Sequence, residues 1–277
     1  MKKQSISLLL LAFTASFILF SCGNGKQKIY GGMEFDSVSV NETAHLLDND
    51  TASPSCNLTI KYTYPIKAVQ PGVTDSINNA IILTCFGEGY KNMTVTEAVD
   101  NYKNDYIKDY RTDLISLYEE DKKNNPKGAE VSAWYSYYNN IEAQPLADNP
   151  KVLVYYINTN SYTGGAHGIY SIDYLNFNPE NGHLITLNDV FNEGYKNKLN
   201  EMLLAQFMKD QGVATLEQLQ EKAYLQDTDM YPSENFRLGK DSITFFYNVY
   251  EIAPYSSGTT EITLSYDELK DILKENK

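Results

Sequence analysis

Apolar and polar positions along the chain follow two periods, and the points where the period changes predict the elements. Residues 35–40 read as a first strand, and the polar stretch 41–55, with Asp48-Asn49-Asp50 and Ser53-Pro54, reads as a loop. From residue 57 to 64 the alternation is clean. Leu58, Ile60, Tyr62 and Tyr64 share one face and Thr59, Lys61 and Thr63 the other, as in a half-buried strand. The period then becomes helical: Thr74 opens a run that carries Ile77, Ile81 and Cys85 inward, and Gly87 stops it. Thr94-Val-Thr-Glu97 is a capping box, followed by Ala98, Val99, Tyr102, Tyr106, Tyr110, Leu114, Leu117 and Tyr118 at helical spacing. This predicts the longest helix, with its tyrosine stripe in the core. The acidic and basic run at 119–123 and the turn residues at 125–128 end it as a solvated terminus.

Strand-like alternation returns over 131–144, with Val131, Ala133, Tyr135 and Tyr137 on one face, then over 151–158 and 169–178. A turn at 179–182 leads to a short strand at 183–187. Helical patterns follow at 195–211, stopped by Gly212, and at 215–224. Two last strands, 242–249 and 259–264, precede a helix opened by the capping box Ser265-Tyr-Asp-Glu268. Helices and strands come in blocks, so the expected fold class is α+β: an antiparallel meandering sheet with packed helices, in two sequential halves at 35–145 and 146–277.

The amino terminus has another character. Met1-Lys2-Lys3 precedes an apolar run over residues 6–20 and then Ser21-Cys22. That run is short of the ~20 residues a span needs, and it reads as an export leader over 1–21 with a lipobox-like end, in which Cys22 becomes the acylated first residue. The competing reading is an ordinary leader with an incidental cysteine. Residues 22–34 form a flexible tether, because Gly and polar residues build no core. Together these place the protein in the bacterial cell envelope, lipid-anchored and facing periplasm or cell surface.

A net charge of −13 makes the surface repel nucleic acid and favour cationic partners, although acidity also serves solubility alone. Cys22 being consumed by lipid, Cys56 and Cys85 remain. Two readings stand for this pair: a disulfide, worth ~3 kcal/mol for a loop of about 30 residues, or two buried thiols.

Candidate chemistry gathers at Tyr162-Thr-Gly-Gly-Ala-His-Gly168, where Gly164, Gly165 and Gly168 mark a shaped corner between two strands. His167 reads as a turn residue bonded to backbone or packed on Tyr162, or as a contact residue on an exposed loop. Glu251 and Tyr255 flank Ala253-Pro254, where the proline turns the chain; Glu251 is placed to receive a cationic side chain. Neither His45 nor His183 has metal-ligand spacing to His167, and Asp227, Asp229 and Glu234 lack the glycine and acidic ladder of a calcium loop. No nucleophile-elbow or phosphate-cradling pattern occurs. The reading is therefore non-enzymatic, with no metal and no cofactor.

Tyr162-Thr-Gly-Gly-Ala-His-Gly168, Thr186-Leu-Asn-Asp-Val-Phe191 and Tyr250-Glu-Ile-Ala-Pro-Tyr-Ser-Ser-Gly258, in this order and spacing, resemble the RsiV-like extracellular domain family. Members of that family form the outer part of an anti-sigma factor that senses lysozyme, stand beside PdaC-type peptidoglycan deacetylase domains, and occur as separate exported proteins. The resemblance covers the chain from about residue 35 onward. It implies the fold and a binding role at the envelope, with lysozyme-like proteins or peptidoglycan as targets. It departs from the anti-sigma members in having no cytoplasmic segment or spanning helix, and it leaves no room for a deacetylase domain. The expected function is a non-catalytic envelope lipoprotein whose ligand loops carry Tyr162, Gly164, Gly165, His167, Gly168, Glu251, Pro254 and Tyr255; the alternatives are a glycan-acting enzyme with dispersed carboxylates and a structural envelope protein.

Overall fold

The computed structural model describes residues 32–124 and 133–275. The leader, Cys22, the tether as far as residue 31, the turn at 125–128 and Val131 lie outside the described residues. Among the described residues, no helix is long and apolar enough to cross a membrane.

Five strands make the larger sheet: β1 (Glu34–His45), β2 (Ser55–Lys67), β3 (Tyr137–Leu146), β4 (Leu153–Tyr162) and β5 (Ile169–Phe177), lying side by side in chain order. The expected strand over residues 35–40 runs on to His45, because β1 pairs residue for residue with β2 as far as His45↔Ser55. Its polar second half hid this, since most of that strand faces solvent. β1/β2, β3/β4 and β4/β5 are antiparallel as the meander predicts, whereas β2 and β3 are parallel. The intervening chain, α1 (Val73–Phe86) and α2 (Val95–Asn124), is the crossover that a parallel pair requires. The sheet also crosses the division expected between residues 145 and 146, since β3 pairs with β4 along its length.

Both helices lie against the sheet. Leu58, Ile60 and Tyr62 of β2 meet Ile77, Ile81 and Cys85 of α1 and Ala98 and Val99 of α2 in one buried cluster. Each such aliphatic side chain, fully buried, stabilises by ~1.5–3 kcal/mol. The capping box at α2 forms as expected: the Thr94 N–H donates to the Glu97 carboxylate, and the Glu97 N–H donates to the Thr94 hydroxyl. Further along α2, Tyr110, Leu114 and Tyr118 pack with Cys56, Leu46 and Tyr135 in a separate cluster. Cys56 and Cys85 thus sit in different clusters, both free and buried, so the disulfide reading gives way to two thiols. Burial pushes both thiols up in pKa and keeps them protonated. Residues 133–135 form a 3-10 turn, not the start of a strand, and residues 183–187 contribute one bridge, Leu184 to Phe177.

The second core belongs to α3 (Leu187–Val190), α4 (Tyr195–Asp210), α5 (Leu216–Glu221), α6 (Tyr266–Leu269) and a three-stranded sheet of β6 (Phe236–Leu238), β7 (Ser242–Tyr247) and β8 (Thr260–Ser265). β6, only three residues long, had no readable alternation. The architecture is α+β in two sequential halves.

Asparagine side chains join the halves along the outer edge of β5. Asn235 accepts from the Tyr174 N–H at 2.8 Å and donates to the Ile172 carbonyl at 2.6 Å, as a neighbouring strand would. Asn248 accepts from the Ile172 N–H at 2.8 Å and donates to the same carbonyl at 3.0 Å. In the opposite sense Asn176 of β5, 1% exposed, bonds the Phe236 carbonyl and the Leu238 N–H of β6. Asn235→Ala strands the Tyr174 N–H at this seam and leaves the Ile172 carbonyl with Asn248 as its remaining side-chain donor. It is expected to lower unfolding free energy by ~1–3 kcal/mol in urea titrations, whereas an exposed control such as Asn104→Ala changes it little.

Candidate functional site

The two loops singled out by the sequence meet. The β4–β5 connection carries the glycine corner, and the β7–β8 connection carries residues 248–259. The His167 ring stacks on Tyr255 with centroids 4.1 Å apart and planes 21° apart. His167 packs on Tyr255 and not on Tyr162, which stacks instead with Tyr138 across the β3–β4 pair. The His167 Nδ1 lies 2.8 Å from the Gly168 carbonyl, which only accepts, so Nδ1 carries a proton and donates. In the neutral ring Nε2 is then the acceptor that faces the Tyr250 hydroxyl at 3.4 Å. Tyr170 and Tyr250 both pack against Tyr255, completing an aromatic surface that sequence reasoning had assigned only in part.

Local conformation holds this surface in place. Gly164 and Gly165 have φ of 90° and 98°, which a side chain rarely adopts. Gly168 is required for another reason: a Cβ there would stand 2.7 Å from the Tyr138 hydroxyl and 2.8 Å from the Ser161 carbonyl. Pro254 caps the 3-10 turn Tyr255–Ser257 that presents Tyr255. Tyr250 has φ of 71° and is 57% exposed. A bulky residue held in the left-handed region with its ring in solvent is a cost of the order of 1 kcal/mol that the fold tolerates at this tip.

Glu251 lies within reach of Asp173 and Tyr231. Its carboxyl is pushed up in pKa by burial and further by the Asp173 charge, while the Asn248 backbone and a hydrogen bond from Tyr231 act the other way. Asp173 of β5 is likewise raised by burial, with Ser171 opposing. Asp173 and Tyr231 carried no signal in the sequence, because only tertiary packing brings residues this far apart in the chain beside Glu251. The motif at Thr186–Phe191 is scaffold. Thr186 and Asp189 form the capping box of α3, and Leu187 and Phe191 are buried in the second core. Among the described residues no group of His, Cys, Asp or Glu is arranged to hold a metal.

The loop cluster lies where two family matches meet. A model described as deacetylase PdaC matches residues 52–170, which include the glycine corner. A model described as protein of unknown function (DUF3298) matches residues 188–267, which include Tyr250 and Tyr255. The solved structure of a DUF3298 member from Bacteroides fragilis NCTC 9343 is 46% identical, with a TM-score of 0.82 over 90% of this chain and 96% of that one. The chain belongs to the DUF3298 family. A DUF3298 protein from Pseudomonas aeruginosa PAO1, 14% identical with a TM-score of 0.56 over 87% of this chain and 94% of that one, shares the fold. No protein of curated function matches. In this DUF3298 protein the asparagine seam ties β5, which lies mostly between the two matched segments, to the second of them, and the aromatic surface stands beside it.

Two measurements check the site's construction. Gly165→Ala, with open space around it, is expected to cost ~1 kcal/mol through backbone strain, and Gly168→Ala more, because a backbone carbonyl blocks the added methyl. A carboxyl whose pKa is higher folded than unfolded loses stability as pH rises through that interval. Asp173→Asn is therefore expected to raise Tm at about pH 7, and the gain is expected to vanish below about pH 3, where the acid is neutral in both states.

Proposed function

We propose that this DUF3298 protein is a non-catalytic binding module of the bacterial cell envelope, anchored through a lipid on Cys22, whose loops at 162–168 and 250–258 contact a protein or glycan. The observation that carries this reading is the His167–Tyr255 stack, 4.1 Å between centroids, beside the exposed Tyr250. Aromatic side chains held rigid on a scaffold supply contact area at little entropic cost, and such residues dominate binding energy at interfaces. The RsiV-like resemblance of the same two loops favours lysozyme-like proteins or peptidoglycan as targets, and the net charge of −13 suits a basic protein.

A second reading, an enzyme acting on cell-wall glycans, draws on Asp173 and Glu251, whose carboxyls are both raised in pKa by burial, that of Glu251 further by the Asp173 charge. The match to a model described as deacetylase PdaC accords with either role at the cell wall.

Capture of the full chain in detergent by immobilised lysozyme and by sacculi separates these readings. Tyr255→Ala and His167→Ala are expected to weaken capture about tenfold or more while the far-UV spectrum is unchanged. Tyr250→Asn, which keeps the left-handed tip, isolates the ring's own contribution. Turnover of sacculi that disappears in Asp173→Asn would instead establish the enzymatic reading, and absence of capture by the parent chain would exclude both targets.

A further inference from the structure

A second concave surface lies between α2 and the larger sheet, a groove of about 370 Å³. Two neighbouring rows of α2 line it, Asp105, Asp109 and Asp113 on one and Tyr102, Tyr106 and Tyr110 on the other. Tyr90 and Tyr137 close the aromatic wall: Tyr90 packs edge-on to Tyr102 at 5.6 Å, and Tyr137 lies 5.2 Å from Tyr110. Thr163 of the glycine corner also contributes to the lining. The volume falls in the range of ligand sites.

The helix keeps these carboxylates at some cost. Like charges four residues apart oppose each other along a helix, and among the described residues none of the three forms a salt bridge. Of the basic residues of α2 nearby, Lys103 pairs with Asp100 and Arg111 with Asp48 and the His45 carbonyl, while Lys108 is exposed and forms no salt bridge among the described residues. Asp105 accepts from the Tyr90 hydroxyl, the only side-chain hydrogen bond that any of the three receives among the described residues. Polar capacity inside is also unspent. The buried Tyr106 hydroxyl has no partner. Behind Tyr102, Asn139 is 6% exposed and donates to the Tyr102 hydroxyl, yet its Oδ1 is unpaired. No basic residue lines the groove.

We infer that this groove is a receptor for the cationic side chains of a basic protein segment, with Arg or Lys held between the tyrosine faces and the aspartate row. A guanidinium stacks on aromatic rings and bonds carboxylates in one plane, which suits a wall of rings beside a row of acids. The groove adjoins the loop cluster at Thr163 but includes neither His167 nor Tyr255, and the inference stands whether or not those rings bind.

Calorimetric titration of the full chain with a hexa-arginine peptide tests it. The combined variant Asp105→Asn, Asp109→Asn, Asp113→Asn is expected to weaken binding at least tenfold, and Tyr106→Leu about threefold or more. Glu180→Gln, Glu221→Gln, Asp271→Asn together remove the same net charge from exposed remote positions and are expected to change affinity less than twofold. The groove triple is expected to fold at least as well as the parent, because it removes repulsion along α2. Equal loss in both triples would overturn the inference in favour of general acidity, and loss on His167→Ala or Tyr255→Ala would move the cation to the loops. Binding of a glucosamine oligomer but not of hexa-arginine would overturn the assignment to a protein segment.

Discussion

The outer edge of β5 is the constraint on which the molecule depends. A strand edge presents peptide groups that must find partners, and the chain meets this one with carboxamides: Asn235 and Asn248 bond to β5, while Asn176 reaches from β5 to β6. A carboxamide offers a donor and an acceptor on one planar group, so it copies a peptide unit without needing a continuous strand. The smaller sheet can therefore dock beside the larger one through β6, a strand of only three residues. Val154, Tyr174 and Phe246 fill the contact behind the seam.

That seam also places the aromatic surface. Asn248 holds Ile172, and the chain leaves these two residues for Tyr250 on one side and Tyr170 on the other. Two loops from separate parts of the chain are thus held in register by hydrogen bonds just inside them. The glycines then permit the tight corner, and Tyr250 is kept in a conformation that an isolated peptide would leave. Precision here comes from the sheets, while the contact groups sit on loops, the usual division between scaffold and recognition.

Tyrosine serves both halves of this design. Tyr62, Tyr135, Tyr155 and Tyr247 are fully buried. Along α2 the same residue type changes role, from the core around Tyr110 and Tyr118 to the half-buried Tyr102 and Tyr106 on the groove. The expectation that this stripe is core holds fully for Tyr110 and Tyr118 and in part for Tyr102 and Tyr106, which pack against the core while the sheet leaves one side of them on the groove. Near the groove, Trp134 lies against Gly164, so the glycine corner borders both the acidic groove and the loop cluster.

Local physics was legible in the chain itself. Alternation marked β2, β4, β5, β7 and β8, capping boxes marked α2 and α6, and the glycine and proline motifs marked both loops, because each of these signals acts within a few residues. What depends on partners far along the chain was not legible. The parallel β2/β3 pair, the exposed second half of β1, the brief β6 and the separation of Cys56 from Cys85 follow from which elements pack together. The same is true of the site: the sequence marked His167 and Tyr255 singly, but the stack between them, and the meeting of Asp173, Tyr231 and Glu251, were decided by the asparagine seam. Residue identity sets what a side chain can bond, whereas only the assembled sheets set how near its distant partners stand.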